Sequence, residues 1–183
     1  MKDKFKELLL STKRKGVEEL LTFLESEESD FYTAPSSTKY HNSFEGGLLD
    51  HSLKVYETFK KKVEEYKLDV PKETIIIASL LYDLCKINLY KIDKKWYKDK
   101  DNKWQSKDEY VYRDEYPLGH GEKSVIIAQK YIQLTELEIM LIRWHMRTTE
   151  EDINRRTFFN ALNKYPAILA FHTADWESSY YLE

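Results

Sequence analysis

The chain has five histidines and a few carboxylates set into apolar runs, and their placement is the first chemical signal in the sequence. Asp83 is the only acid in Thr74-Ile75-Ile76-Ile77-Ala78-Ser79-Leu80-Leu81-Tyr82-Asp83-Leu84-Cys85, the most apolar stretch of the chain. His51 follows Gly46-Gly47-Leu48-Leu49-Asp50, His145 follows Ile142-Arg143-Trp144, and Asp175 closes Ala170-Phe171-His172-Thr173-Ala174. An ionised side chain buried in such surroundings costs several kcal/mol unless something compensates it. A shared metal ion would offset all four, because imidazole and carboxylate ligands on facing helices are a recurrent way of binding divalent transition metals. His120, between Gly119 and Gly121 at a helix start, is placed to join them.

The elements that must position these residues are helical. With only 5 Gly and 4 Pro, the chain offers long helix-compatible stretches and few breaks, and it reads as mainly α. Residues 2–10 and 16–27 are amphipathic, the second carrying Val17, Leu20, Leu21 and Leu24 at helical spacing. A turn-rich stretch at Pro35-Ser36-Ser37 leads to a helix expected over residues 45–66, with Leu48, Leu49, Leu53 and Tyr56 on one face and His51 within it. Pro71 suits a helix start, and residues 74–85, apolar on every side, read as one central buried helix. Residues 88–117 break the pattern with Trp96, Tyr97, Trp104, Tyr110, Tyr112 and Tyr116 among lysines and acids. Asp101-Asn102 supplies a turn, so a short β-hairpin insertion is expected. Further helices are expected over residues 120–132, 136–146, 151–162 and 167–182.

Composition narrows the function classes. One domain is expected, because 183 residues with 42% hydrophobic content suffice for a sizeable core. No apolar run reaches membrane-spanning length and the first residues lack a signal-peptide core, so a cytoplasmic protein with no membrane partner is expected. The single cysteine, Cys85, lies in an apolar stretch and reads as a reduced core residue. A net charge of −3 gives no overall basic field, which disfavours a generic nucleic-acid binder.

The ordered set His51, Tyr82-Asp83, His120, His145 and Asp175 resembles the pattern of the HD-domain metal-dependent phosphohydrolases, which runs H, HD, H, H, D. The resemblance covers roughly residues 38–183. Tyr40-His41-Asn42-Ser43-Phe44-Glu45-Gly46-Gly47-Leu48-Leu49-Asp50-His51 looks like the opening of HD domains in certain bacterial exonucleases and relaxases, and Leu81-Tyr82-Asp83-Leu84-Cys85-Lys86 resembles their second motif. Pro117-Leu118-Gly119-His120-Gly121-Glu122-Lys123-Ser124 and His172-Thr173-Ala174-Asp175 are similar to later motifs in small HD proteins. The fold implied is an HD-type helical bundle with a hairpin insertion, in which residues 1–37 form an N-terminal helical extension.

What the resemblance implies is metal-assisted hydrolysis of a phosphate ester, the metal polarising a phosphoryl oxygen and lowering the pKa of a bound water. His51, the residue at position 82, Asp83 and Asp175 would hold one ion, His120 and His145 would serve a second, and Asp83 would bridge. One or two divalent ions (Mn, Mg, Fe, Ni or Zn) are expected. Lys86, three residues after Asp83, would neutralise a substrate phosphate beside the metal, with Lys123 and Arg143 as weaker candidates. Asp83 and Lys86 are the expected catalytic pair.

Tyr82 departs from the pattern on a metal ligand, and a neutral phenol is a poor donor. Two one-metal arrangements remain open: Asp83, His120 and His145, or His51, Asp83 and Asp175. Three functions follow: a phosphohydrolase for a nucleotide or related phosphate ester, weakened by Tyr82; a catalytically degenerate HD domain that binds nucleotides or regulates; or a nuclease or nucleic-acid accessory domain. Bland roles stand beside each residue. A single histidine is more often a hydrogen-bonded structural residue, and His41 and His172 are read so. Lys86 alone would be a helix-end cation, Gly46-Gly47 a point where helices approach closely, and the aromatics of residues 96–116 hairpin packing rather than a base-stacking platform. The insertion is also expected to cover the mouth of the site, since its ends border Lys86 and His120.

Overall fold

Apolar spacing at three and four residues converts most of this chain into helices that bury one face each. In the computed structural model, which describes residues 1–39, 42–146 and 152–181, α1 (Lys2–Ser11) buries Phe5 and Leu9, and α2 (Val17–Glu25) buries Val17, Leu20, Leu21 and Leu24. The long α3 (Gly47–Glu65) starts behind Gly46, which holds a left-handed φ of 81° that favours glycine. A side chain on Gly47 would collide with the Asn42 carbonyl, so the glycine pair serves a loop-to-helix turn and not the close helix approach expected from sequence.

The all-apolar run becomes α4 (Lys72–Leu81), buried from Thr74 to Leu81, but the single helix expected over residues 74–85 does not form. Beyond Leu81 the chain passes through Asp83 at φ −105° and ψ 19° into a 3₁₀ turn, Leu84–Lys86. The break has a visible cause. The Cys85 amide donates to Ser124 Oγ at 3.0 Å instead of continuing the α-helical ladder, while Lys86 N and Ile87 N bond three residues back, to Asp83 O and Leu84 O.

An antiparallel hairpin follows, β1 (Tyr90–Lys98) and β2 (Trp104–Tyr112), in register from Tyr90 opposite Tyr112 to Lys98 opposite Trp104. Asp99 closes its turn, accepting the amides of Asp101 and Lys103. Four helices follow among the described residues: α5 (His120–Gln129), α6 (Glu136–Trp144), α7 (Asp152–Lys164) and α8 (Ala167–Tyr180). A capping box between Thr135 and Glu138 fixes the start of α6. The architecture is mainly α with one short hairpin: α3 packs on α4 and α8, and α6 on α4, α5 and α8, around one core. Among the described residues no helix is long and apolar enough to cross a membrane.

The hairpin aromatics pack within the hairpin and not into the core, Tyr90 edge-on to Tyr112 with ring centroids 6.3 Å apart and Lys98 over the Trp104 ring. Trp96, Tyr97, Trp104 and Tyr112 are exposed, as is Tyr116 beyond the strands. The hairpin is tied to the body at its root, where the Tyr90 hydroxyl donates to Ser36 O and Arg113 N donates to Leu89 O.

Candidate active site around Asp83

Four helical segments deliver the side chains of the site. His51 comes from the first turns of α3, Tyr82 and Asp83 from the point where α4 stops, His145 from the C-terminal end of α6, and Asp175 from the middle of α8. His51 and Tyr82 are fully buried, and His145, Asp83 and Asp175 are buried nearly as deeply.

They meet in two linked pairs. His51 Nε2 lies 2.9 Å from Asp175 Oδ1. The Tyr82 hydroxyl donates to the same oxygen, also at 2.9 Å. On the other side His145 Nε2 faces Asp83 Oδ1 at 3.6 Å. Its Nδ1 is engaged by the Ile142 carbonyl at 2.7 Å and must donate to it, so in the neutral ring Nε2 is an acceptor. Tyr82 connects the pairs, its ring edge-on to His145 with centroids 4.8 Å apart and to Phe171 at 5.5 Å.

Charge is offset within the cluster, most directly at Asp83. Burial alone would raise the Asp83 carboxyl, yet the Lys86 ammonium and His145 bring it below the usual carboxylate range. Lys86 Nζ sits 2.7 Å from Asp83 Oδ2 and also donates to Ser36 Oγ at 3.3 Å. Burial disfavours its charge, but Asp83 more than restores it and Lys86 stays protonated. Asp175 is held well below its ordinary value, against its burial, by the hydrogen bond from His51. Burial, reinforced by Asp175 and Asp83, drives the Tyr82 phenol far above its ordinary value, so it is neutral. Burial also lowers the His145 imidazole toward its neutral form, although Asp83 pulls the other way.

The remaining residues are placed less simply. His120, the first residue of α5, has Nδ1 3.2 Å from Cys85 Sγ, and that sulfur is 3.9 Å from Asp83 Oδ1. His120 therefore reaches the cluster through Cys85, whose thiol burial pushes up to about 12. Lys123 is buried and pairs with Asp114 at 2.7 Å. Arg143 pairs with Glu122 at 2.6 Å and lies over the Trp144 ring. Both cations thus have protein partners. His172 Nδ1 bonds the His145 carbonyl at 2.5 Å, bracing the segment that carries His145. His41 lies outside the described residues. Sequence reasoning missed Ser36, hidden in a turn-rich segment; Cys85 is the buried free thiol expected, and it also links His120 to Asp83.

The donors match a metal site unevenly. Among the described residues no three His, Cys, Asp or Glu side chains form a group that could hold a metal ion. At the junction of His51, Asp175 and Tyr82 the donors already satisfy one another, and a divalent ion does not fit there as the residues stand. At Asp83 and His145 two buried acceptors face each other at 3.6 Å, with the Cys85 thiol 3.9 Å from the same Asp83 oxygen. That acceptor pair fits a cation, so Asp83 and His145 are the residues that would hold one.

No family model matches the chain. No solved structure matches it. Among curated proteins it is similar to the dihydroneopterin 2',3'-cyclic phosphate phosphodiesterase of Methanocaldococcus jannaschii, with 35% identity over 57 residues, 29% of this chain and 23% of that protein. The chain thus spans less than a quarter of the length of this relative, a protein that by its name cleaves a cyclic phosphodiester.

Proposed function

We propose that this chain is a phosphohydrolase of the HD type, acting on a nucleotide or related phosphate ester and using a divalent ion at Asp83 and His145. The observation that carries the reading is the convergence of His51, Tyr82, Asp83, His145 and Asp175, separated by up to 124 positions in sequence, into one buried polar cluster. Buried polar groups brought together from four helical segments, with a lysine held among them, are how a fold builds a site, and strongly perturbed titratable groups cluster at such places. The partial similarity to a phosphodiesterase supports the same reaction class.

A divalent ion there would polarise a phosphoryl oxygen and lower the pKa of a bound water. The chain's own residues do the rest. Lys86, kept charged by Asp83, pairs with an anionic phosphate oxygen, and the Ser36 hydroxyl beside it adds a hydrogen bond. Asp83 orients Lys86 through one carboxylate oxygen and faces His145 through the other. The Ile142 carbonyl fixes the tautomer of His145, leaving Nε2 aimed into the cluster.

A second reading is favoured by Tyr82, whose buried hydroxyl occupies the junction between the two carboxylates: a domain that binds a nucleotide or related phosphate ester without turning it over. The deciding experiment is metal analysis of protein purified without added metal, then a panel of phosphate mono- and diesters, including 2',3'-cyclic nucleotides. Phosphoester cleavage that chelation abolishes and Mn²⁺ restores is the expected result. Saturable binding with no turnover would support the second reading, and neither binding nor turnover across the panel would overturn both.

A further inference from the structure

Two carboxylates, Asp83 and Asp175, lie near each other in a dry part of the core, and each raises the cost of charging the other. Lys86 answers the charge of Asp83 directly, at 2.7 Å. Asp175 is served by His51 Nε2 and the Tyr82 hydroxyl, both 2.9 Å from the same oxygen. Asp83, the next residue in the chain, adds a second carboxylate charge beside the phenol. One neutral O–H thus stands between two carboxylates and a histidine, at a point where a bridging cation would otherwise be expected.

We infer that Tyr82 is a built-in replacement for a metal ion at the junction of His51, Asp83 and Asp175, so that this half of the site takes no cation and a divalent ion binds only on the Asp83–His145 side.

Geometry carries the inference. The Tyr82 hydroxyl commits its one proton to Asp175 Oδ1, the same oxygen that His51 Nε2 meets, so an ion drawn to that oxygen must take the proton from the phenol or displace it. Displacement is obstructed because the ring is fully buried, with edge contacts to His145 and Phe171 and a tilted contact to His51 at 6.2 Å. Ionisation would set a phenolate against two carboxylates. A histidine at position 82 would behave differently, offering a lone pair to an ion in place of a proton to a carboxylate. The inference goes beyond the proposed reaction and stands whether or not the cluster cleaves phosphate esters, because its readouts are ion content and thermal midpoint.

The test compares the native protein with Tyr82→His and Tyr82→Phe, each stripped with chelator, reloaded with Mn²⁺, desalted and analysed for bound metal, with melting followed in chelator and in Mn²⁺. The native protein should hold at most one ion per chain. Tyr82→His should hold one more than the native protein, with a Tm that Mn²⁺ raises by more than it raises the native value. Tyr82→Phe keeps the ring and loses the proton donor, so it should match the native ion content but melt below the native protein in chelator. Two ions in the native protein would overturn the inference. So would a folded Tyr82→His that gains none, or a Tyr82→Phe that melts with the native protein. If Tyr82→His does not fold, the native ion count and Tyr82→Phe decide the matter.

Discussion

Asp83 has different partners on its two carboxylate oxygens, Lys86 on one and His145 on the other, and both contacts lie in the core. Asp83→Asn keeps the shape of the side chain and removes its charge. It should therefore abolish Mn²⁺ uptake on the His145 side and lower kcat/KM for a phosphate ester by more than the roughly 10–100-fold expected when only a residue that braces a metal ligand is lost. Lys86 is left without its counter-charge, but it retains Ser36 and some contact with water, so circular dichroism should still show a folded protein. Full metal content and turnover in this variant would remove Asp83 from the site. At this scale the sequence was legible where burial and chemistry disagree: an acid in an apolar run and a histidine after Gly-Gly-Leu-Leu-Asp signal a site. It was silent on which atoms meet. The engagement of His120 with Cys85, and of Tyr82 with Asp175, depends on side-chain directions set by where α4 ends.

That end is a property of elements in contact. Residues 74–85 look like one helix because nothing among them opposes it, and the interruption comes from Ser124 on α5, which takes the Cys85 amide from 39 positions away. Periodicity reports a segment's own preference and cannot see a hydroxyl delivered by another helix. The hairpin shows the converse. Its strands and turn were legible from alternation and from Asp101-Asn102, but the fate of its aromatic side chains was not. Trp96 and Trp104 are 61% and 64% exposed, so they add little to the core. Replacing both with alanine should leave stability within about 0.5 kcal/mol, as is usual for surface substitutions. If the hairpin reaches over a nucleotide bound near its root, where Tyr90 meets Ser36, the same variant should raise KM for that ligand several-fold. Titration of the native and doubly substituted proteins with one nucleotide checks this, and equal affinities would leave the hairpin no part in binding.

The molecule as a whole is tied together by a contact that joins its first residues to the helices bearing the site. Arg14, between α1 and α2, sends its guanidinium to Glu73 at the start of α4, and forks onto Glu138 of α6 with Nη1–Oε2 at 3.1 Å and Nη2–Oε1 at 2.9 Å. Glu138 is fully buried and also accepts the Thr135 amide and the Thr74 hydroxyl, so one carboxylate links α1–α2, α4 and α6. Nothing in Thr12-Lys13-Arg14-Lys15 distinguishes this arginine from its exposed neighbours in sequence, because its partner lies 124 positions away. Two-toothed arginine–carboxylate pairing is geometrically specific, and lysine cannot reproduce it. Arg14→Met would leave Glu138 charged in the core without its counter-ion, an imbalance that costs about 3–5 kcal/mol when one partner of a buried pair is removed. Urea denaturation should show a loss of that order, and Arg14→Met combined with Glu138→Gln should recover a large part of it, since the double variant leaves no bare charge. Because α4 and α6 lead into Asp83 and His145, the single variant should also weaken Mn²⁺ binding at a site it does not touch. A loss below about 1 kcal/mol, the range of exposed ion pairs, would show that Arg14 and Glu138 contribute no more than surface charges and that the apolar packing of α1 and α2 alone holds the N-terminal segment in place.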